Sequence, residues 1–281
     1  MWERRYGFPR PERTTGGSRL YSSADVETLK LIRRALEQGY RPGEVVGKTR
    51  EALVELLRTT AGAMTSSMPA GPGTPTVTSV LAALERDDVP ALRAELRQAA
   101  VMLGPKRFLV EVAHPAAVRV GALWAEGKLE VRHEHMLSEC LLSQLQVLMS
   151  AYEDQPAAPR VLLATLPDER HDLGLQMIAL YLAVSQITPV LLGADTPAEQ
   201  ILKAVRGHSA DAVGLLVTRA SDLRATARQV RWLLSELPRR VAVWIGGAGG
   251  PELDVRDEAL QVVATWSDLD LAMTRLARAA A

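Results

Sequence analysis

The sequence predicts a multidomain protein of α and α/β type, in which a helical bundle precedes a flavodoxin-like, Rossmann-type parallel sheet. Three observations carry that reading. Short apolar runs alternate with helical stretches through the last third of the chain. Apolar residues recur every three or four positions over the middle third. Two stretches of small and turn-forming residues separate these regions from each other and from a basic N-terminal segment.

Residues 1–60 begin with a turn-rich, arginine-rich stretch and continue with helical patterns. Ser22-Ser23-Ala24-Asp25 has the form of a capping box, and Val26, Leu29, Ile32, Arg33 and Leu36 follow at helical spacing until Gly39. The segment 61–76, AGAMTSSMPAGPGTPT, is uncharged and rich in Pro, Gly, Ser and Thr, the composition of a linker. From 77 to 155 a four-helix bundle is expected, with breaks at Asp87-Asp88, Gly104-Pro105 and Glu126-Gly127. Residues 156–281 then form the α/β domain. Its strands are expected at Val161–Leu166, Pro189–Leu192, Ala212–Val217 and Val241–Ile245, with a weaker fifth near Gln261–Ala264.

Composition narrows the function classes. The 281 residues are 47% hydrophobic and 23% charged, values of an ordinary globular protein with a sizeable core. Lys+Arg and Asp+Glu are both 33, so no overall basic field announces nucleic-acid binding, and charge has to be read locally. The lone cysteine, Cys140, excludes an internal disulfide framework and sits in an apolar run, as a buried inert thiol does. The charged N-terminus has no apolar core of a signal peptide, and no uninterrupted apolar span of bilayer length follows, so a cytoplasmic protein without a membrane partner is expected.

Ligands of open parallel sheets bind beyond the carboxyl ends of the strands, which directs attention to the loop after the first strand of the α/β domain. That loop reads Leu166-Pro167-Asp168-Glu169-Arg170-His171-Asp172-Leu173-Gly174. An imidazole at His171 would stand at the sheet edge, Glu169 could orient its second ring nitrogen, and Gly174 would let a bulky group approach the first helix. Gly246-Gly247, after the fourth strand, would open the same edge. In the bundle, Trp124 is followed after nine residues by Glu134-His135, an indole, a carboxylate and an imidazole that suit an adenosine-like group if they share a cavity. A core tryptophan beside a solvated charged face is the alternative. The adjacent His133-Glu134-His135 is a poor metal site, because neighbouring residues on a helix diverge.

The pattern Glu169-x-His171-x-x-Gly174 followed by Gly246-Gly247 resembles the cobalamin-binding domain. The resemblance implies that His171 is the lower axial ligand to cobalt, in place of the cofactor's own benzimidazole. It also implies that the displaced nucleotide tail lies near Gly174 and Gly246. Relatives often carry Ser-x-Leu after the third strand, where this chain has Leu216-Val217-Thr218, and Thr218 is the hydroxyl available for that contact.

Trp-x9-Glu-His in a bundle ahead of such a domain resembles the upper-face signature of CarH/LitR-type, MerR-family light-responsive regulators. This implies that Trp124, Glu134 and His135 cap the adenosyl group of adenosylcobalamin. One departure is Ala125, where well-known members have a histidine that takes the upper cobalt site after light; His133, His135 and His114 are the other imidazoles of the bundle.

The N-terminal stretch places arginines around Gly16-Gly17 and resembles the end of the recognition helix and the wing of MerR-type winged helix-turn-helix proteins. Arg4, Arg5, Tyr6, Arg13, Arg19 and Tyr21 are the residues expected on DNA, chiefly on phosphates. The match starts late in that motif, so a partial winged helix is expected, with operator DNA as partner if the helix-turn-helix is completed. A homo-oligomer, dimer or tetramer, is implied as well. The whole is expected to be a non-enzymatic, cobalamin-binding, light-responsive transcriptional regulator. Alternatives are a corrinoid-carrier module of a methyltransferase, or a cobalamin or bilin photosensor that does not bind DNA alone.

Overall fold

A computed structural model describes residues 75–152, 159–218 and 221–280 continuously. In the N-terminal segment it describes residues 8, 9, 12, 13, 19–22, 24, 25, 28, 29, 31, 32, 35, 45–53 and 56. There, strands β1 (Glu12–Arg13) and β2 (Arg19–Leu20) pair antiparallel, setting Arg13 opposite Arg19, as a wing that turns between them requires. Arg4, Arg5 and Tyr6, together with Gly39 and the 61–74 part of the expected linker, lie outside the described residues. Tyr21 is exposed. Ser22 caps its helix, with the Asp25 amide donating to Ser22 Oγ and the Ser22 hydroxyl to Asp25 Oδ2.

Four helices make the bundle: α1 (Pro75–Glu85), α2 (Val89–Phe108), α3 (His114–Ala125) and α4 (Val131–Met149). Helix α1 starts inside the stretch read as linker, because a proline suits the first helical turn, where its missing N–H costs nothing. Asp88 caps α2 by accepting from the Ala91 amide, with Pro90 in the first turn. Asp87 pairs with Arg132 at the start of α4, so α2 and α4 begin at the same end of the bundle. The expected break at Gly104-Pro105 is a sharp bend, not a stop. Gly104 leaves helical geometry (φ 72°, ψ 163°), the helix resumes to Phe108, and one π-turn, Leu109–Ala113, joins it to α3. The run Val89–Ala125 has the length and hydropathy of a membrane span, yet it bends and half of its apolar window is buried inside the fold. Cys140 is buried.

The α/β domain follows as β3 (Arg160–Thr165), α5 (Leu173–Val184), β4 (Thr188–Gly193), α6 (Ala198–His208), β5 (Ala212–Leu216), α7 (Leu223–Glu236), β6 (Ala242–Gly246), β7 (Leu260–Val263) and α8 (Trp266–Ala280). The sheet is parallel, in the order β4-β3-β5-β6-β7, the doubly wound arrangement expected. Strand order reverses beside β3, which places the loop holding His171 at the switch point.

Alternation along the strands divides the core. Leu162, Ala164, Val213, Leu215, Val243 and Ile245 pack with the apolar stripes of α6 and α7, whose other faces are wet. Val161, Leu163, Ala212, Leu216, Trp244 and Val263 join one continuous core with α5, α8 and the bundle. Helix α5 is apolar nearly all round because it lies between the sheet and the bundle. Phe108, at the junction with the π-turn, is fully buried in that core. Phe108→Ala is expected to lower stability by ~3–5 kcal/mol, read as an earlier urea or thermal transition.

Candidate functional site

The loop after β3 is tied down before it reaches His171. Thr165 Oγ1 donates to the Glu169 carbonyl (2.5 Å) and accepts from the Asp195 amide (2.8 Å). The Asp195 amide also reaches the Glu169 carbonyl (3.0 Å), and Asp195 Oδ1 accepts from the Asp168 amide (2.9 Å). The loops after β3 and β4 are thus cross-linked, which fixes the backbone that aims Glu169 inward and His171 outward.

Glu169 is 3% exposed, and four donors converge on its carboxylate. Oε1 accepts from the His171 backbone N–H (3.1 Å) and from His171 Nδ1 (2.5 Å). Oε2 accepts from Ser221 Oγ (2.7 Å) and from the Thr218 hydroxyl. Burial alone would push the Glu169 carboxyl up, but the bonds from His171, Thr218 and Ser221 outweigh it and hold it at about 2. The hydrogen bond that His171 donates to Glu169 in turn raises His171 against the cost of burial, helped by the fields of Glu169, Glu134 and Asp172. An ionised carboxylate only accepts, so Nδ1 carries the proton, and in the neutral ring Nε2 keeps its lone pair. The His171 side chain is 46% exposed at the sheet edge. An oriented imidazole with a basic, accessible Nε2 is a metal ligand in waiting.

The glycine-rich loop after β6 completes the edge. Gly247 has φ +87°, and a Cβ there would stand 2.4 Å from the Val217 carbonyl oxygen. Gly249 presses equally close on the Thr218 carbonyl, and its amide donates to Val217 O (2.9 Å). Gly246 has ordinary room, its nearest neighbour being 3.6 Å from a built Cβ, so of the expected pair only Gly247 is sterically required. Gly174, in the first turn of α5, faces the Leu216 side chain, 3.1 Å from a built Cβ.

Helix α4 of the bundle, which carries Glu134, packs on α5, the helix that follows the His171 loop. Glu134 is held by Ser138 Oγ (2.8 Å) and by His135 Nδ1 (2.9 Å). The structure brings Glu134 and His135 together at the surface, with His135 mostly exposed, whereas Trp124 is 4% exposed in the bundle core. Ala125 is likewise buried. Of the other imidazoles, His133 is a cap: its Nδ1 accepts from the Glu130 amide (3.0 Å) and its Nε2 lies 3.5 Å from Asp87 Oδ1. His114 packs edge-on against Trp266, and desolvation drops it to about 4, so it is neutral.

Sequence reasoning missed Ser221 and Gly249. Ser221 lies five residues beyond β5, and only the turn that brings its hydroxyl back to Glu169 reveals it. Gly249 was legible as part of the run Gly246-Gly247-Ala248-Gly249-Gly250.

Two outcomes follow for the ligand-free protein. Glu169 contributes stability that is complete above its ordinary value of 4.5 and is lost as pH falls toward about 2. His171, raised from 6.5 by the same contact, contributes below 6.5 and loses that contribution as pH rises through its higher folded value. Thermal unfolding against pH is therefore expected to show the pair's largest contribution between 4.5 and 6.5, and Glu169→Gln to flatten both limbs. Gly247→Ala, forced into a left-handed conformation against backbone, is expected to cost ~2 kcal/mol or more in the same assay.

Known proteins match this architecture in all its parts. A family model described as B12 binding domain matches residues 159–268, and a second B12 binding domain model matches residues 77–149. A model of the MerR HTH family regulatory protein matches residues 1–51. The HTH-type transcriptional repressor CarH of Myxococcus xanthus is 34% identical over 256 residues, covering 88% of this chain and 82% of that protein. The HTH-type transcriptional repressor CarA of Myxococcus xanthus is 27% identical over 294 residues, covering 98% and 92%. Among solved structures, the monomethylamine corrinoid protein of Methanosarcina barkeri shares the fold, with a TM-score of 0.55 at 16% identity over 70% of this chain and 96% of its own. Relatives that run through nearly the whole chain, with a B12 binding match on each side of the His171 edge, place this chain in the CarH-type family of MerR-class, cobalamin-binding transcriptional regulators.

Proposed function

We propose that this chain is a transcriptional repressor whose signal is adenosylcobalamin and its breakdown by light, held between α4 and the carboxyl edge of the sheet. His171 Nε2 would hold cobalt, with Glu169 and Thr218 fixing the ring. Gly174, Gly246 and Gly247 would line the path of the nucleotide tail, and Glu134 and His135 at the surface of α4, with Trp124 inside the bundle, would face the adenosyl group. The observation that carries this reading is the Glu169–His171 pair, in which a saturated, buried carboxylate leaves one imidazole nitrogen basic and half exposed. The residues present fit the cofactor at that nitrogen, which Glu169 orients and which stands half exposed at the sheet edge.

When bound, cobalamin supplies a light-sensitive cobalt–carbon bond. The protein's part is to bind the intact and cleaved forms with different affinity in two arrangements, because a ligand shifts an equilibrium only by its differential affinity. Glu134 and His135 on the bundle and His171 on the sheet lie on separate units, so contacts made by all three couple the cofactor's state to how the units pack. The output is operator DNA bound in the cytoplasm by an oligomer through the N-terminal segment, with Arg4, Arg5, Tyr6, Arg13, Arg19 and Tyr21 on the backbone. The matches to named repressors support regulation rather than catalysis.

The test is absorption spectroscopy with adenosylcobalamin before and after green light, run with size-exclusion chromatography and a gel shift on the promoter beside its own gene. Wild type is expected to give a base-off, histidine-ligated spectrum in the dark that light changes, together with a change of oligomer and loss of the shifted band. His171→Ala should lose the histidine-ligated signature. Absence of cobalamin binding by the wild type overturns the reading.

A further inference from the structure

One side chain stands in the path of a bulky group entering between α5 and the loop after β6. Leu216, the last residue of β5, places Cδ2 3.1 Å from a Cβ built on Gly174 and Cδ1 3.0 Å from one built on Gly247. The space beside Gly174 is thus filled by this one leucine, itself 5% exposed, which also borders Gly247, where the Val217 carbonyl lies closer still. Gly174 is otherwise hard to account for, since glycine in an apolar helix costs about 1 kcal/mol relative to alanine.

A second, independent observation lies on the same sheet face. Trp244 of β6 is 3% exposed, and its Nε1 is buried with no hydrogen-bond partner among the described residues. Leu216 pairs with Gly246 and Gly214 with Trp244, so Trp244 and Leu216 are diagonal neighbours on one face, with Trp244 farther from the edge. A buried donor without a partner is costly, and such groups mark a place where a ligand supplies the acceptor.

We infer that Leu216 and Trp244 set which corrinoids this protein accepts. Leu216 makes entry of a nucleotide tail cost the displacement of a packed side chain, and the Trp244 indole N–H returns part of that cost by meeting an acceptor on the tail. The inference rests on the cobalamin reading above. Its consequence is weak discrimination: a corrinoid that lacks the tail binds the wild type nearly as well as one that has it.

The experiment compares dissociation constants for cobalamin and for cobinamide, which has the same ring without the nucleotide tail, by absorbance titration. Leu216→Ala is expected to tighten cobalamin about tenfold, the order of the burial free energy of part of a leucine side chain, and to leave cobinamide unchanged. Trp244→Phe, which keeps the bulk and removes the donor, is expected to weaken cobalamin by about fivefold, the order of one hydrogen bond, again without effect on cobinamide. Leu216→Val gives a smaller shift in the same direction and serves if the alanine variant folds poorly. Because each variant is judged by its own ratio of the two constants, a general loss of stability does not mimic the result. A ratio unchanged in Leu216→Val and Trp244→Phe overturns this inference while the cobalamin reading stands. Failure of the wild type to bind either corrinoid overturns both.

Discussion

Glu169 holds an ionised carboxylate at 3% exposure, and a buried charge of that kind survives only where its lone pairs meet donors. Two of those donors come from His171 and two from the loop after β5, so the carboxylate joins segments that are far apart in sequence. The loops after β4 and β6 are drawn in as well. The first is bonded to Thr165 and to the Glu169 carbonyl, and the second lies against Val217 and Thr218 through glycines that cannot be larger. The edge of the sheet is thereby one connected unit, with His171 as its outward face.

Packing of the bundle onto the α/β domain depends on a different device. Helix α5 is apolar on all sides because it is covered twice, by the sheet and by the bundle. Near its far end, Tyr181 stacks on Trp266 (4.7 Å between centroids) and donates to Asp270 (3.0 Å). Lys106 pairs with the same Asp270 oxygen (3.1 Å) and lies over the Tyr181 ring. Exposed ion pairs contribute little by themselves, so the tyrosine and tryptophan carry more of this contact than the charge does. The bend at Gly104 and the π-turn Leu109–Ala113 fall on the part of the bundle that makes these contacts, from Lys106 to His114. A regular helix through Val89–Ala125 would present a different set of side chains to α5 and α8.

Much of the fold was legible because burial leaves a periodic trace. The five strands lie within a residue or so of the apolar runs, and Ser22 and Asp25 cap their helix as their spacing demands. Glu169 and His171 were legible for a local reason, since two residues in one short loop cannot be far apart. The glycine pair was legible from its place after the fourth strand, and the resemblance to cobalamin domains added Thr218 as a contact to the nucleotide tail, whereas its hydroxyl donates to Glu169. Trp124 and His133 were less legible: helical spacing says that residues share a face but not whether that face is core, and the capping bonds of His133 depend on where α4 starts.

By itself, the sequence determined the sheet, the bundle, the basic wing and the imidazole at the switch point, because each is written in spacing within one element or one loop. Only the tertiary structure decided that Ser221 shares the carboxylate with Thr218, that Gly247 and Gly249 rather than Gly246 are pressed against backbone, and that Leu216 fills the space beside Gly174. The physical reason is the same in each case. These contacts join residues of different strands and loops, and their distances are set by how the sheet pairs and how closely its loops pack, which no periodicity along a single segment encodes.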